Sequence, residues 1–155
     1  MTKLTKYSYL YQQDYITTLN NIIYTICLRL LLLMTQLTNH CHKKVIQKNS
    51  VIFAVKIELK DIVYSSLTQN SIIPTHFLED IFKSKIISTF SIRKDCLFEL
   101  SNFLDFLIDY FIERSYHGNQ LSIPHLLNIL KKNNLFLYRF IVSKYRLKEY
   151  LPIFF

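Results

Sequence analysis

With one glycine and three prolines in 155 residues, this chain has few places to turn. Sandwiches and barrels need a tight turn roughly every ten residues, and those turns draw on glycine and proline. Four such residues cannot supply them, so the composition points to helices. Half of the residues are hydrophobic and 15% are aromatic, ample apolar surface for a core and an argument against wholesale disorder. The length fits one domain, or two small ones sharing a core.

The single glycine stands in HGNQLSIPHLLNILKKNN, residues 117–134. A long apolar segment stops there. A short extended stretch follows, then Pro124, then a second periodic apolar run. Gly118 is therefore expected in a left-handed or otherwise strained turn. Pro124 is expected in the first turn of the next helix, where its missing N–H costs nothing.

A shift of 75 residues lays one half of the chain over the other. HKKVIQKNSVIFAVK (42–56) falls on HGNQLSIPHLLNILK (117–131), pairing His42 with His117, Ile46 with Leu121 and Val51 with Leu126. NIIYTICLRLLLLMTQLTNHC (21–41) falls on CLFELSNFLDFLIDYFIERSY (96–116), and both predict long helices. Glu99, Asn102, Asp105, Asp109 and Glu113 recur every three or four residues as the polar stripe of the second. Asn21, Thr25, Arg29 and Gln36 mark a thinner stripe on the first. THFLEDIFKSKI (75–86) predicts a short helix whose counterpart falls around residues 2–11. Each half thus reads short helix, loop, long helix, loop, short helix. In the first half, Asn49 or Ser50 is expected to cap the last helix through its side-chain oxygen.

Nineteen basic residues against eleven acidic give a net charge of +8, which favours an anionic partner. Residues 1–60 carry +6, residues 61–113 carry −4 and residues 114–155 carry +6. Cys27, Cys41 and Cys96 are odd in number and unhelpfully spaced, which predicts buried, reduced thiols. The chain opens on a polar stretch, MTKLTKYSY, without a visible secretory signal. The apolar run 22–34 contains Arg29 and is short for a membrane span.

A short–long–short helical unit of this size resembles the histone fold. LSIPHLLNILKKNNLF (121–136) looks like the segment of histone 2A in which a brief strand precedes the last helix. KKVIQKNSVIFAVKIEL (43–59) looks like the corresponding segment of histone 2B. Two such units in this order resemble the histone doublets of some large DNA viruses. The resemblance implies an all-α chain of two tandem histone folds paired antiparallel. It implies a histone 2B-like fold over residues 1–60 and a connector or extra helix over 61–73. It further implies a histone 2A-like fold over 74–137 and a C-terminal helical extension over 138–155.

Antiparallel pairing would set the loop after one long helix beside the loop before the other. Lys43, Lys44 and Lys48 are then expected to join Arg93 and Lys94 on one DNA-gripping edge, with no need for base contacts. The opposite edge, from loops 12–20 and 117–122, holds no Lys or Arg and is expected to bind weakly or through main-chain N–H groups. Lys3, Lys6, Lys83 and Lys85 are candidates between the edges, aided by helix N-termini. The segment that is acidic in histone 2A reads NNLF (133–136) here, so the docking of partner proteins seen in that family is not carried over.

The function implied is non-sequence-specific binding and compaction of double-stranded DNA. The implied partner is a second histone doublet, or a pair resembling histones 3 and 4. The location implied is the virion, host nucleus or viral factory, with no membrane expected. No catalytic residue, metal or cofactor is predicted. NHCH (39–42) lacks a second ligand pair at finger spacing, and one glycine cannot build a phosphate-cradling loop. Two other classes compete: a small helical protein that binds a membrane or host protein through its apolar runs, and a histone-fold transcription factor subunit.

Overall fold

The computed structural model describes residues 13–62, 73–86 and 89–147. The chain is mostly helical, with six helices and four two-residue strands among the described residues. In order these are α1 Gln13–His40, β1 Val45–Ile46, α2 Asn49–Glu58, α3 Thr75–Lys85, β2 Ser91–Ile92 and α4 Lys94–Arg114. Then follow β3 Tyr116–His117, β4 Gln120–Leu121, α5 Ile123–Asn133 and α6 Leu135–Lys144. The 75-residue correspondence reappears in the elements. The two long helices end at His40 and Arg114, the strands β1 and β4 start at Val45 and Gln120, and the following helices start at Asn49 and Ile123. The expected helix around 2–11 and most of the 61–73 connector lie outside the described residues.

The long helices start earlier than expected. The loop expected over 12–20 is, from Gln13, part of α1. Tyr15, Ile16 and Leu19 are buried at helical spacing, and the Thr18 hydroxyl donates to the Asp14 carbonyl four residues back. At 28 residues, α1 is also long and apolar enough to cross a membrane, contrary to the shortness inferred for 22–34. Its apolar residues are nevertheless largely committed to protein. Ile22, Ile23, Ile26, Leu30, Leu31 and Met34 are fully buried.

Contacts divide the chain into two compact units. One is residues 26–105; the other joins the chain up to Thr25 with Phe106 onward. The boundaries fall inside α1 and α4, so each unit takes part of both long helices. In the 26–105 unit the buried residues include Leu30, Met34, Ile46, Val51, Val55, Leu78, Leu100 and Phe103. Arg29 on α1 is ion-paired with Glu58 on α2, a carboxylate that is 9% exposed. This explains the cation inside the apolar run. Glu99 and Asn102 are buried as well, so the first half of the α4 stripe does not face water; Glu113 at its end does.

The other unit buries Tyr15, Leu19, Phe111, Leu126, Leu130, Leu137 and Ile141. The Thr25 and Tyr145 hydroxyls meet at 3.1 Å. Here β3 and β4 form an antiparallel hairpin with Tyr116 opposite Leu121 and His117 opposite Gln120, leaving Gly118–Asn119 as the loop. Gly118 has φ 64°, as expected, and among the described non-glycine residues only His42 and Arg146 share a positive φ. Positive φ at the first loop position alone is the pattern of a type II′ turn. A Cβ at Gly118 would touch nothing within 4 Å, so the backbone angle, not crowding, demands glycine.

Pro124 lies in the first turn of α5, as expected. Ser122 caps that helix, its Oγ accepting from the His125 N–H at 3.3 Å. The Asn134 side chain caps α6 by accepting from Leu137 N–H at 3.0 Å. The capping expectation fails in the first half. Lys48 occupies the N-cap of α2, Asn49 is already helical, and no side chain caps the helix. The Ser50 and Val51 N–H groups donate instead to the carbonyls of Gln47 and Lys48 three residues back, so a tight first turn does the work.

Two helices end in the same left-handed device. After α1, His42 (φ 58°) donates its N–H to Asn39 and Lys43 donates to Thr38. After α6, Arg146 (φ 53°) donates to Ser143 and Leu147 to Val142. Both are Schellman motifs with a bulky residue where glycine is preferred.

Candidate nucleic-acid interface

The expected basic edge forms within the 26–105 unit. Strand β1 pairs with β2 in parallel, Val45 beside Ser91 and Ile46 beside Ile92. The Ser91 N–H donates to the Lys44 carbonyl at 3.1 Å, and the Arg93 N–H to the Ile46 carbonyl at 3.2 Å. The loop leaving α1 is thus tied to the loop entering α4. Lys43, Lys44, Lys48, Arg93 and Lys94 are all exposed around this short ladder. Ile46 is the fully buried side chain that anchors it.

The ladder also juxtaposes two helix starts. Helix α2 begins one residue after Lys48 and α4 one residue after Arg93. A shallow open cleft of about 380 Å³ lies there, lined by Gln47, Lys48, Asn49, Ile52, Arg93 and Asp95. The helix dipole gives each helix start a partial positive charge, so cations placed there reinforce rather than relieve it. The energetic sense is inverted relative to ordinary helices, which place carboxylates in the first turn. The first turn of α2 holds no acid. An anion arriving in the cleft would meet oriented dipoles and two cationic side chains.

One carboxylate stands against this. Asp95 accepts from Arg93 Nε at 3.2 Å, with both side chains about half exposed. Such a pair is worth little in water and leaves Arg93 able to exchange partners. Lys44 lies with its Nζ 5.2 Å from the Phe90 ring centroid, which supports the stem without consuming the charge. Neither Asp95 nor Phe90 was among the residues singled out from sequence. Their adjacency to Lys94 and to the strand was the available signal.

The remaining candidates are placed differently. Lys83 and Lys85 are exposed in the last turn of α3, at its negative end and eight or more residues from its N-terminus, so no helix start assists them. Lys83 is paired with Glu79 at 3.0 Å. Lys3 and Lys6 lie outside the described residues, and the loop expected over 12–20 is, from Gln13, the start of α1. The loop 117–122 is the β3–β4 hairpin, without cations. A smaller cleft of about 140 Å³ on the 26–105 unit is lined by Leu37, Cys41, Lys43, Val45 and Phe53, among others.

The thiols offer little reactivity. Burial pushes Cys27 and Cys96 up to about 12, and Asp95 and Glu99 add to the effect at Cys96. Cys41 departs from the expectation of burial and is exposed, because it follows the last turn of α1. Among the described residues, no three His, Cys, Asp or Glu side chains group as a metal site requires. Compared with protein families, curated proteins and solved structures, the chain matches none.

Proposed function

We propose that the chain is a tandem histone-fold protein of viral type that binds and compacts double-stranded DNA without reading its sequence. The observation that carries this reading is the parallel β1–β2 ladder. It brings five cations from loops about 45 residues apart, and two helix starts, to one exposed edge. Consecutive phosphates of a duplex are the anions such an edge suits. Lys43, Lys44, Lys48, Arg93 and Lys94 supply charge, and main-chain N–H groups at the helix starts supply direction. The reading assigns binding and packaging, without catalysis, metal or cofactor, at viral DNA in the virion, nucleus or factory.

The repeat of long helix, strand and short helix at a constant offset supports a pair of like folds within one chain. Such a pair would act as a dimer equivalent and need a second doublet, or a histone 3/4-like pair, to build a nucleosome-like particle. Leu32 on α1 with Phe53 and Ile57 on α2 are each about half exposed. These are the most exposed large apolar side chains described in the 26–105 unit, and they are available for that partner.

Mobility shift of random-sequence duplex DNA across a salt series tests the reading. Binding should weaken steeply with salt and ignore sequence. A variant carrying Lys43→Ala, Lys44→Ala, Arg93→Ala and Lys94→Ala should show a salt slope shallower by about 3 to 4, near one per lost phosphate contact. Absence of binding at low salt, alone and with a candidate partner doublet, would end it.

A further inference from the structure

Helix α6, in the unit that does not contain the cationic edge, presents a second surface of different character. Leu137, Tyr138 and Ile141 face inward and are buried. Leu135, Phe136 and Phe140 face outward, and Phe136 is 78% exposed, the most exposed large apolar residue among those described. Positions 135, 136, 139, 140, 143 and 144 share this outer stripe at helical spacing. Arg139 and Lys144 stand on it beside the phenyl rings, with Lys144 Nζ 5.7 Å from the Phe140 ring centroid. From Ser115 to Leu147 the chain has Lys131, Lys132, Arg139, Lys144 and Arg146 and not one Asp or Glu. Residues 148–155, KEYLPIFF, carry one Lys, one Glu and a further run of apolar and aromatic residues.

We infer that the outer face of α6 is a membrane-binding ridge that inserts Phe136 and Phe140 into an anionic lipid surface. Charge complementarity requires an anionic partner, since Arg139 and Lys144 stand on this face and neither is ion-paired among the described residues. The phenyl rings require an apolar one. Duplex DNA meets the first requirement but would leave Phe136 in water. A bilayer with acidic headgroups meets both, because cations sit at the headgroups while rings reach the acyl boundary. The face is the convex side of a helix and lines neither cleft described above. A ridge of this kind suits a medium that parts around it. This inference does not depend on the DNA reading.

Flotation of the full chain with phosphatidylcholine vesicles, with and without phosphatidylserine, tests it. The protein should float only with the anionic vesicles. Phe136→Ser should weaken binding on the order of tenfold, and Phe136→Ser with Phe140→Ser further, since each ring loses its burial in lipid. Both rings are already solvent-exposed, so these variants should keep the wild-type circular dichroism. The chain has no tryptophan, so Phe136→Trp gives a unique probe. Its emission should shift to the blue with anionic vesicles and be quenched by acyl-brominated lipid. The Lys43→Ala, Lys44→Ala, Arg93→Ala, Lys94→Ala variant should float like the wild type. Failure to float, or flotation with unshifted tryptophan emission, overturns the inference. So does a loss of binding in the edge variant but not in the phenylalanine variants. Binding to soluble polyglutamate in place of vesicles would make the face a protein-docking ridge and also defeat it.

Discussion

Replacing His42 with glycine should stabilise the protein, although it removes a side chain and adds no contact. His42 holds φ 58° at the end of α1, where its N–H and that of Lys43 close the Schellman motif. A residue with a Cβ adopts that conformation at a cost of about 1–2 kcal/mol. Glycine adopts it freely but loses about 0.5–1 kcal/mol more backbone entropy on folding. The imidazole is exposed, so little packing is lost. The net expectation is a gain of about 0.5–1 kcal/mol. For a chain of this length, that raises Tm by roughly 1–4 °C. Urea unfolding with both variants measured at one pH reads the difference directly. Gly118→Ala provides the opposite sign, because nothing crowds that site and only its φ of 64° opposes a side chain. It should lose about 1 kcal/mol. If His42→Gly is less stable than the wild type while Gly118→Ala is unchanged, backbone angle is not what governs glycine placement here.

Three further outcomes are expected. Arg29→Leu should cost about 1–3 kcal/mol in urea unfolding, because Glu58 is 9% exposed; the 40% exposure of Arg29 places this below the range for fully buried pairs. A loss no larger than that of an exposed pair would show that Glu58 is satisfied elsewhere. Asn134→Ala should cost about 1 kcal/mol by freeing the Leu137 N–H at the start of α6, and Asn134→Gly only a few tenths. The third concerns pH. Burial first, and then the charge of His117, whose ring lies 5.1 Å away, hold His125 below its usual value of 6.5. The unfolded chain therefore binds a proton that the folded chain refuses, and stability rises with pH in that window. Wild-type stability should fall as pH drops below about 6.5, and His125→Gln should flatten that fall; identical pH profiles would refute the assignment.

Periodicity and punctuation carried much of the architecture. The Gly118 turn, the Pro124 helix start and the long and short helices were readable because backbone angle and apolar spacing are local properties. What was not readable depended on neighbours. Glu99 and Asn102 matched a solvent stripe by spacing, yet tertiary packing buried them. Asn49 and Ser50 looked like caps, but the tight turn closed by the Gln47 and Lys48 carbonyls begins the helix one step earlier. The start of α1 was missed because residues 12–20 are polar on one side only, and Tyr15 and Leu19 find their burial in distant chain. At the candidate interface, the pairing of Lys43 and Lys44 with Arg93 and Lys94 followed from supposing two like folds. The Asp95 contact and the cleft at two helix starts needed the register of β1 on β2.

That register sets a timetable. Val45 and Ser91 are 46 residues apart, and joining them closes a loop whose length-dependent entropy amounts to about 3 kcal/mol. The helices can form from neighbours in sequence, but this ladder cannot. During synthesis Lys43, Lys44 and Lys48 emerge well before Arg93, and for that interval they are scattered lysines on an unfinished chain. The cationic edge therefore comes into being only when the 26–105 unit closes, which ties any grip on a polyanion to completed folding.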